Sequence, residues 1–231
     1  MQKLEYSKDE IVRTIMQVDE AGGIPAVSKD YVTVRLSGKR AMFEEPSCGI
    51  DKRTYPIPPF SAVRKILEAI YRNPGMNWVP VFCGIRKPIQ IVSAQPENTK
   101  KSADGSMEYL LDVEYYIKAY IVSRPNFMQT GDDLVKFNDA ARENIRTGQY
   151  IEKPFLGTNK CPCKFGTIDP HEWNNPELFQ DITMDLGYVT FDFDSSGKNG
   201  TPLLKPMIIQ KGKVFYLKGE ILHPKGGSEN R

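Results

Sequence analysis

The sequence predicts an α+β protein: a ferredoxin-like βαββαβ domain with an added C-terminal antiparallel β region. Three observations predict it. A β-branched, alternating run at 31–36 leads into a helix with an apolar stripe at Val63, Ile66, Leu67 and Ile70. Strand-like runs at 78–85 and 89–93 and a long one at 109–122 then precede a second amphipathic helix over 132–147. The last third carries short strand-like runs at 184–194, 207–210 and 214–217, punctuated by turns at Ser196-Gly197 and Lys211-Gly212. The boundaries that follow are a helical extension over 1–30, the ferredoxin-like domain over 31–150 and a β-rich region over 151–231.

In the extension, Ser7 and Glu10 have capping-box spacing, and Ile11, Ile15 and Val18 share a helical face. Gly22-Gly23 and Pro25 end that helix. Its expected role is to cover part of the core. After the first strand comes a loop with Cys48-Gly49, the basic run Lys52-Arg53-Thr54-Tyr55 and prolines at 56, 58 and 59. Ser61 is the expected N-cap of the following helix, which stops at Asn73-Pro74-Gly75. Arg64 and Lys65 stand in the first turns of that helix, where cations oppose the macrodipole unless an anion is also present. In the second helix Leu134, Phe137, Ala141 and Ile145 form one face, and Gly148 closes it. After it come residues 153–157, the Cys161-Pro162-Cys163 segment and an irregular acidic stretch to Asp181.

The 231 residues, 40% hydrophobic and 10% aromatic, can fill a core, which excludes a disordered chain. The net charge is only +2, yet residues 31–101 hold twelve cations against five acids. A basic face on a near-neutral protein fits a phosphate backbone as partner. No apolar run is long enough to span a bilayer and no signal-peptide core is present, so no membrane role and a cytoplasmic location are expected. Four cysteines are too few and too irregular for a disulfide framework. Cys161 and Cys163 lack a second pair at zinc spacing and read as small buried hydrophobes, so neither metal nor other cofactor is expected. His171 reads as a surface loop residue. Of the tyrosines on the long strand, Tyr116 and Tyr120 share one face and Tyr109 and Tyr115 the other; most are expected to pack rather than stack on bases. Lys198, Lys205, Lys211 and Lys213 fit solvated turns or contacts to RNA or a neighbouring subunit equally well.

A family resemblance runs through most of the chain after residue 30. It rests on Ala41-Met42-Phe43, Pro46, Tyr55, Ser61-Ala62-Val63-Arg64, Ile66-Leu67-Glu68-Ala69-Ile70, Trp78 and Pro88-Ile89. It continues through residues 112–119 and at Gly148-Gln149, Pro154-Phe155-Leu156-Gly157 and Asp185-Leu186-Gly187-Tyr188. In these motifs and their order the sequence resembles the CRISPR-associated Cas-five proteins of type I-C (Dvulg) systems, of the RAMP superfamily. The resemblance implies an RNA-binding Cascade subunit that holds the 5′ handle of a CRISPR guide RNA beside the Cas-seven backbone and the Cas-eight large subunit. It also implies metal-independent cutting of the precursor RNA, by attack of a ribose 2′-OH on the adjacent phosphate. That reaction needs a group to position the 2′-OH, cations for the phosphate and a proton donor for the leaving oxygen.

Tyr55 matches the family's loop tyrosine, with Lys100 and Lys101 as further catalytic candidates. Lys39, Arg40, Lys52, Arg53, Arg64 and Lys65 are the expected RNA contacts. The family's histidine-bearing segment before the long strand is here residues 100–107, shorter and without histidine. Two outcomes therefore stand side by side: a subunit that binds and cuts, and a structural cap that binds only.

Overall fold

The computed structural model describes residues 7–18, 24–46, 51–94, 106–124, 131–173, 175–194 and 201–218. Along the chain run α1 (Lys8–Val18), β1 (Val32–Ala41), α2 (Phe60–Ile70), β2 (Met76–Ile85), β3 (Ile91–Ala94), β4 (Met107–Ser123) and α3 (Gly131–Thr147). There follow β5 (Lys164–Gly166), α4 (Pro170–Trp173), a 3-10 turn (Pro176–Leu178), β6 (Met184–Asp194), β7 (Thr201–Ile209) and β8 (Lys213–Phe215). One antiparallel sheet has the order β5-β1-β4-β2-β8, with β3 folded back on β4. β1, β2, β4 and β5, with α2 and α3 between them, are the four strands and two helices of a ferredoxin-like motif. Its fourth, first, third and second strands stand side by side, as that motif requires. The fourth strand, β5, and the added edge strand, β8, both come from beyond residue 150.

Alternation sets the register. Val32, Val34 and Leu36 are buried opposite Ala119, Ile117 and Tyr115. β2 is buried at all ten positions, as its unbroken apolar sequence requires of a strand covered on both faces. Pro80 cannot donate to the ladder, and the register shifts between Pro80 and Phe82.

One face of the sheet carries α2 and α3. Across the other runs the stretch read from sequence as irregular: α4, the 3-10 turn and residues 179–182 form a strap. Trp173 and Phe179 meet Phe82 at ring distances of 5.5 and 6.0 Å. Tyr116 donates to Glu172, Arg86 donates to the Leu178 carbonyl, and Gln180 bonds the backbone of Ile85 and Arg86 at 2.9 Å each. Gly84 makes room, since a Cβ there would lie 2.1 Å from the Phe179 ring. Tyr116 is thus committed to packing, and Tyr115 lies on the helix side against Phe43.

β6 and β7 form a separate two-stranded sheet whose inner face rests on α2. Phe191 stacks on Phe60 with ring centroids 4.1 Å apart, and Arg64 reaches Asp192 at 3.1 Å. Lys205 on β7 corrects the expectation of a solvated or RNA-touching lysine: it is 1% exposed, with its ammonium 4.9 Å from the Phe191 ring. Strand alternation places it inward with Leu203 and Met207.

The α1 capping box forms as its sequence dictates: Ser7 N–H donates to Glu10 Oε2 at 2.9 Å and Glu10 N–H to Ser7 Oγ at 3.2 Å. Residues 26–28 continue the edge of β1 along β4 through Ser28 N–H to Ile121 O and Ser123 N–H to Ala26 O. Cys83, Cys161 and Cys163 are free and buried, and burial pushes the Cys83 and Cys163 thiols up to about 12. Cys48 lies outside the described residues. Among those residues no helix is long and apolar enough to cross a membrane.

Past β1 the chain is clamped by the 154–161 segment. Met42 N–H donates to Leu156 O at 3.1 Å, and Leu156 N–H to Cys161 O at 2.7 Å. Gly157 sits in the left-handed region (φ 84°), and a Cβ there would lie 1.8 Å from the Met42 carbonyl oxygen. Gly157→Ala is expected to cost roughly 2–4 kcal/mol from the disfavoured φ and the backbone clash together. Urea titration of the two proteins reads this directly, and an unchanged midpoint would contradict it.

Candidate functional site

The basic loop is a small ladder. Tyr55 N–H donates to Phe43 O at 2.9 Å, Glu45 N–H to Arg53 O at 3.0 Å, and Thr54 Oγ1 accepts from Phe43 N–H at 2.9 Å. The same strip joins the start of β4 through Lys52 N–H to Ser106 O and Glu108 N–H to Lys52 O, each 2.9 Å. The result is directional. Lys52 and Arg53 stand exposed at the tip, while Thr54 and Tyr55 turn inward and are buried.

Tyr55 ends against β6. Its hydroxyl accepts the Thr190 backbone N–H at 3.2 Å and lies 3.3 Å from Thr190 Oγ1. The prolines then carry the chain to α2, and Tyr216 Oη donates to the Pro58 carbonyl at 2.6 Å. Burial holds the Tyr216 phenol far above its ordinary range, so it remains a donor across the accessible pH range. The loop is therefore held from below by Tyr216, just past β8, and from the side by β6.

The N-cap of α2 is Pro59, not Ser61, and no side chain caps it. Proline arrives with φ −62° and ψ 162°, and its carbonyl accepts Val63 N–H at 3.1 Å, so the fixed ring starts the helix two residues before the expected serine. Ser61 instead lines a cavity of about 190 Å³ with Tyr55, Lys65, Phe155, Thr190 and Phe193. The first turn of α2 holds no acidic residue, and Lys65 makes no ion pair among the described residues. An uncapped helix start beside an unpaired ammonium favours an anion at the cavity mouth.

The structure gathers part of the expected set. Tyr55 and Lys65 line one cavity, and Lys52 adjoins it through Glu44 at 3.2 Å. Arg53 projects from the same tip. Lys39 and Arg40 are exposed at the end of β1 leading into the loop, with the Arg40 guanidinium 5.4 Å from the Tyr109 ring centroid. Arg64 turns away, toward Asp192 at 3.1 Å and Glu68 at 3.8 Å, and ties α2 to β6. Lys100 and Lys101 lie outside the described residues. Lys211 is exposed, Lys213 lies 5.3 Å from the Phe179 ring, and Lys198 is outside the described residues.

Sequence reasoning missed Thr190 and Phe193 as members of the site. Nothing local in β6 marks them, because their role arises from a contact 135 residues away. Phe155 carried a signal: it precedes a glycine that only a left-handed position against Met42 demands.

No protein-family model matches the chain. It is 27% identical over 183 residues to the CRISPR pre-crRNA endoribonuclease Cas5d of Thermus thermophilus, covering 74% of this chain and 76% of that one. The protein of the same name from Mannheimia succiniciproducens is 23% identical over 194 residues, covering 71% and 84%. A crystal structure described as a CRISPR-associated protein superposes with a TM-score of 0.68 at 23% identity, over 84% of this chain and 94% of that one, a likeness of fold.

Proposed function

We infer that this chain, a member of the Cas5 family of CRISPR-associated proteins, binds the 5′ handle of a CRISPR guide RNA through its basic loop. On this reading it works in the cytoplasm as a Cascade subunit, against the Cas-seven backbone and the Cas-eight large subunit. We further propose that it cuts the precursor of that RNA. One observation carries the reading: Tyr55 is fixed in the wall of a cavity that Lys65 also lines, on the same loop as the exposed Lys52 and Arg53.

The proposed step is internal transesterification. The ribose 2′ oxygen attacks the adjacent phosphorus and loses its proton to water, while the bond to the 5′ oxygen breaks and that oxygen takes up a proton from water. A 2′,3′-cyclic phosphate and a 5′-hydroxyl end result. Tyr55 positions the 2′-OH, and Lys65, with Lys100 and Lys101, offsets charge on the phosphate. Cascade association aside, the direct test incubates the protein with labelled repeat RNA in EDTA. A discrete cut with a cyclic phosphate end supports this reading; tight binding without a cut leaves the cap alone.

The reading without cutting has its own support. Tyr55 is 7% exposed, and its hydroxyl already accepts the Thr190 N–H, as in a residue that shapes a wall.

Binding by either subunit is expected to weaken steeply with salt. Contacts from Lys39, Arg40, Lys52, Arg53 and Lys65 give a slope of log K against log salt of about −3 to −4. Fluorescence anisotropy between 50 and 300 mM salt measures it (roughly the range in which counterion release dominates). A flat response would contradict a phosphate-binding face.

A further inference from the structure

The cavity beside Tyr55 owes its existence to two small residues. On α2, the positions facing the core carry Phe60, Val63, Leu67 and Ile70. The positions facing the cavity carry Ala62 and Ala69, one on each side of Lys65 and Ile66. Larger residues there would close the space.

Its walls are of two kinds. Phe43, Pro59 and Ile66 are buried and apolar, while Phe155 and Phe193 are each 41% exposed. Polar groups are Ser61, Thr190, the Tyr55 hydroxyl and Glu44, and Lys65 stands exposed among them. Ser61 makes no side-chain hydrogen bond among the described residues. At about 190 Å³ the space is well below the roughly 300–1,000 Å³ of clefts that take drug-sized ligands.

We propose that this cavity receives a single unstacked nucleobase of the bound RNA strand. A base has two flat apolar faces and a polar edge, the same division that the walls show. Aromatic and apolar side chains hold such flipped bases by stacking, with hydrogen bonds to their edges. An aliphatic side chain from a partner protein would leave Ser61, Thr190 and Glu44 facing hydrocarbon. Lys65, exposed in the cavity lining, is available to the phosphate joined to a seated base. The inference rests on the reading of the chain as an RNA-binding subunit and adds a place where one nucleotide is selected. It also assigns a purpose to Phe155 and Phe193, which packing of the core leaves 41% exposed.

The test is a double-mutant cycle between protein and RNA. Repeat RNAs from the organism's own CRISPR array, each with one abasic nucleotide, are titrated against wild type and Ala62→Leu at fixed salt. Ala69→Leu serves if the first variant melts early, and Phe193→Ala removes an exposed wall without filling the cavity. One abasic position is expected to weaken wild-type binding about 5- to 150-fold, the worth of one base–aromatic stack. The filled variant should bind intact RNA more weakly by a similar factor and ignore that lesion. Tight binding of intact RNA with no position coupled to the filled cavity would overturn the base pocket and leave RNA binding standing. No binding of any RNA by wild type would overturn both. Protection of the cavity by an aromatic peptide in place of RNA would also overturn the proposal.

Discussion

Tyr55→Phe is expected to slow cutting of precursor RNA by roughly 100-fold or more while leaving RNA binding within about twofold. The substitution keeps the ring, which is 7% exposed between the loop and β6, and removes only the hydroxyl. Two effects separate cleanly. In the fold, the Thr190 N–H loses its acceptor, which costs on the order of 1–3 kcal/mol for a buried donor. In the proposed reaction, the group assigned to orient the 2′-OH is gone, and positioned hydrogen-bonding groups of this kind contribute about 10²–10⁴-fold. Thermal melting measures the first, and single-turnover cutting in EDTA the second. Thr190→Val removes only Oγ1, 3.3 Å from the phenol oxygen, and leaves the backbone N–H in place. It should therefore lose less than Tyr55→Phe. Full cutting by a folded Tyr55→Phe protein would remove the tyrosine from the mechanism.

Lys205→Met is expected to stabilise the protein by about 1–3 kcal/mol at neutral pH. Burial pushes the Lys205 ammonium down to about 8, and the Glu10 carboxylate on α1 offsets only part of that. The ordinary value is about 10.5, so the native state binds the proton more weakly than the unfolded chain. Below about pH 8 both states hold the proton, and the whole cost of burying the charge is present. Between about 8 and 10.5 the unfolded chain keeps a proton that the native protein has shed, so the contribution of this residue to stability improves as pH rises. Methionine fills a similar volume beside Phe191 without the charge. Urea unfolding of both proteins from pH 7 to 10 should show the advantage of the variant shrinking with pH. An advantage constant across that range, or a destabilised variant, would mean that Lys205 has a structural partner that matters more than its desolvation.

Three strands and both helices of the ferredoxin-like core were legible because they are written locally; its fourth strand, β5, falls in the stretch read as irregular. The alternation at Val32, Val34 and Leu36 and the helical stripe at Val63, Ile66, Leu67 and Ile70 depend on neighbours only a few residues away. β6 was legible as a strand for the same reason, but β7 spans Thr201–Ile209, and only its end fell within the run expected at 207–210. Other features are settled by contacts that no window of sequence contains. The strap over 170–182 has no periodicity; it is ordered because Phe82, Gly84 and Tyr116 on the sheet accept Trp173 and Phe179. Arg64 and Lys65 are adjacent and chemically alike, yet one meets Asp192 while the other faces the cavity. Which neighbour lay across the helix could not be read from either. Lys205 shows the opposite failure: its charge argued for the surface, and the alternation of β7 argued for the interior. The alternation won because Leu203, Met207 and Ile209 bury the same face.

The hydrogen bond from Thr190 to Tyr55 spans 135 residues of chain, and this sets an order of events in the cell. Translation proceeds at roughly 5–20 residues per second, so the loop emerges on the order of ten seconds before β6 exists to support it. During that interval a nascent chain displays Lys52 and Arg53 but has no Thr190 or Phe193 to complete the cavity wall. Under the proposed base pocket, charge alone would draw RNA to such a chain, and selection of a nucleotide would begin only after the last third of the protein has been made.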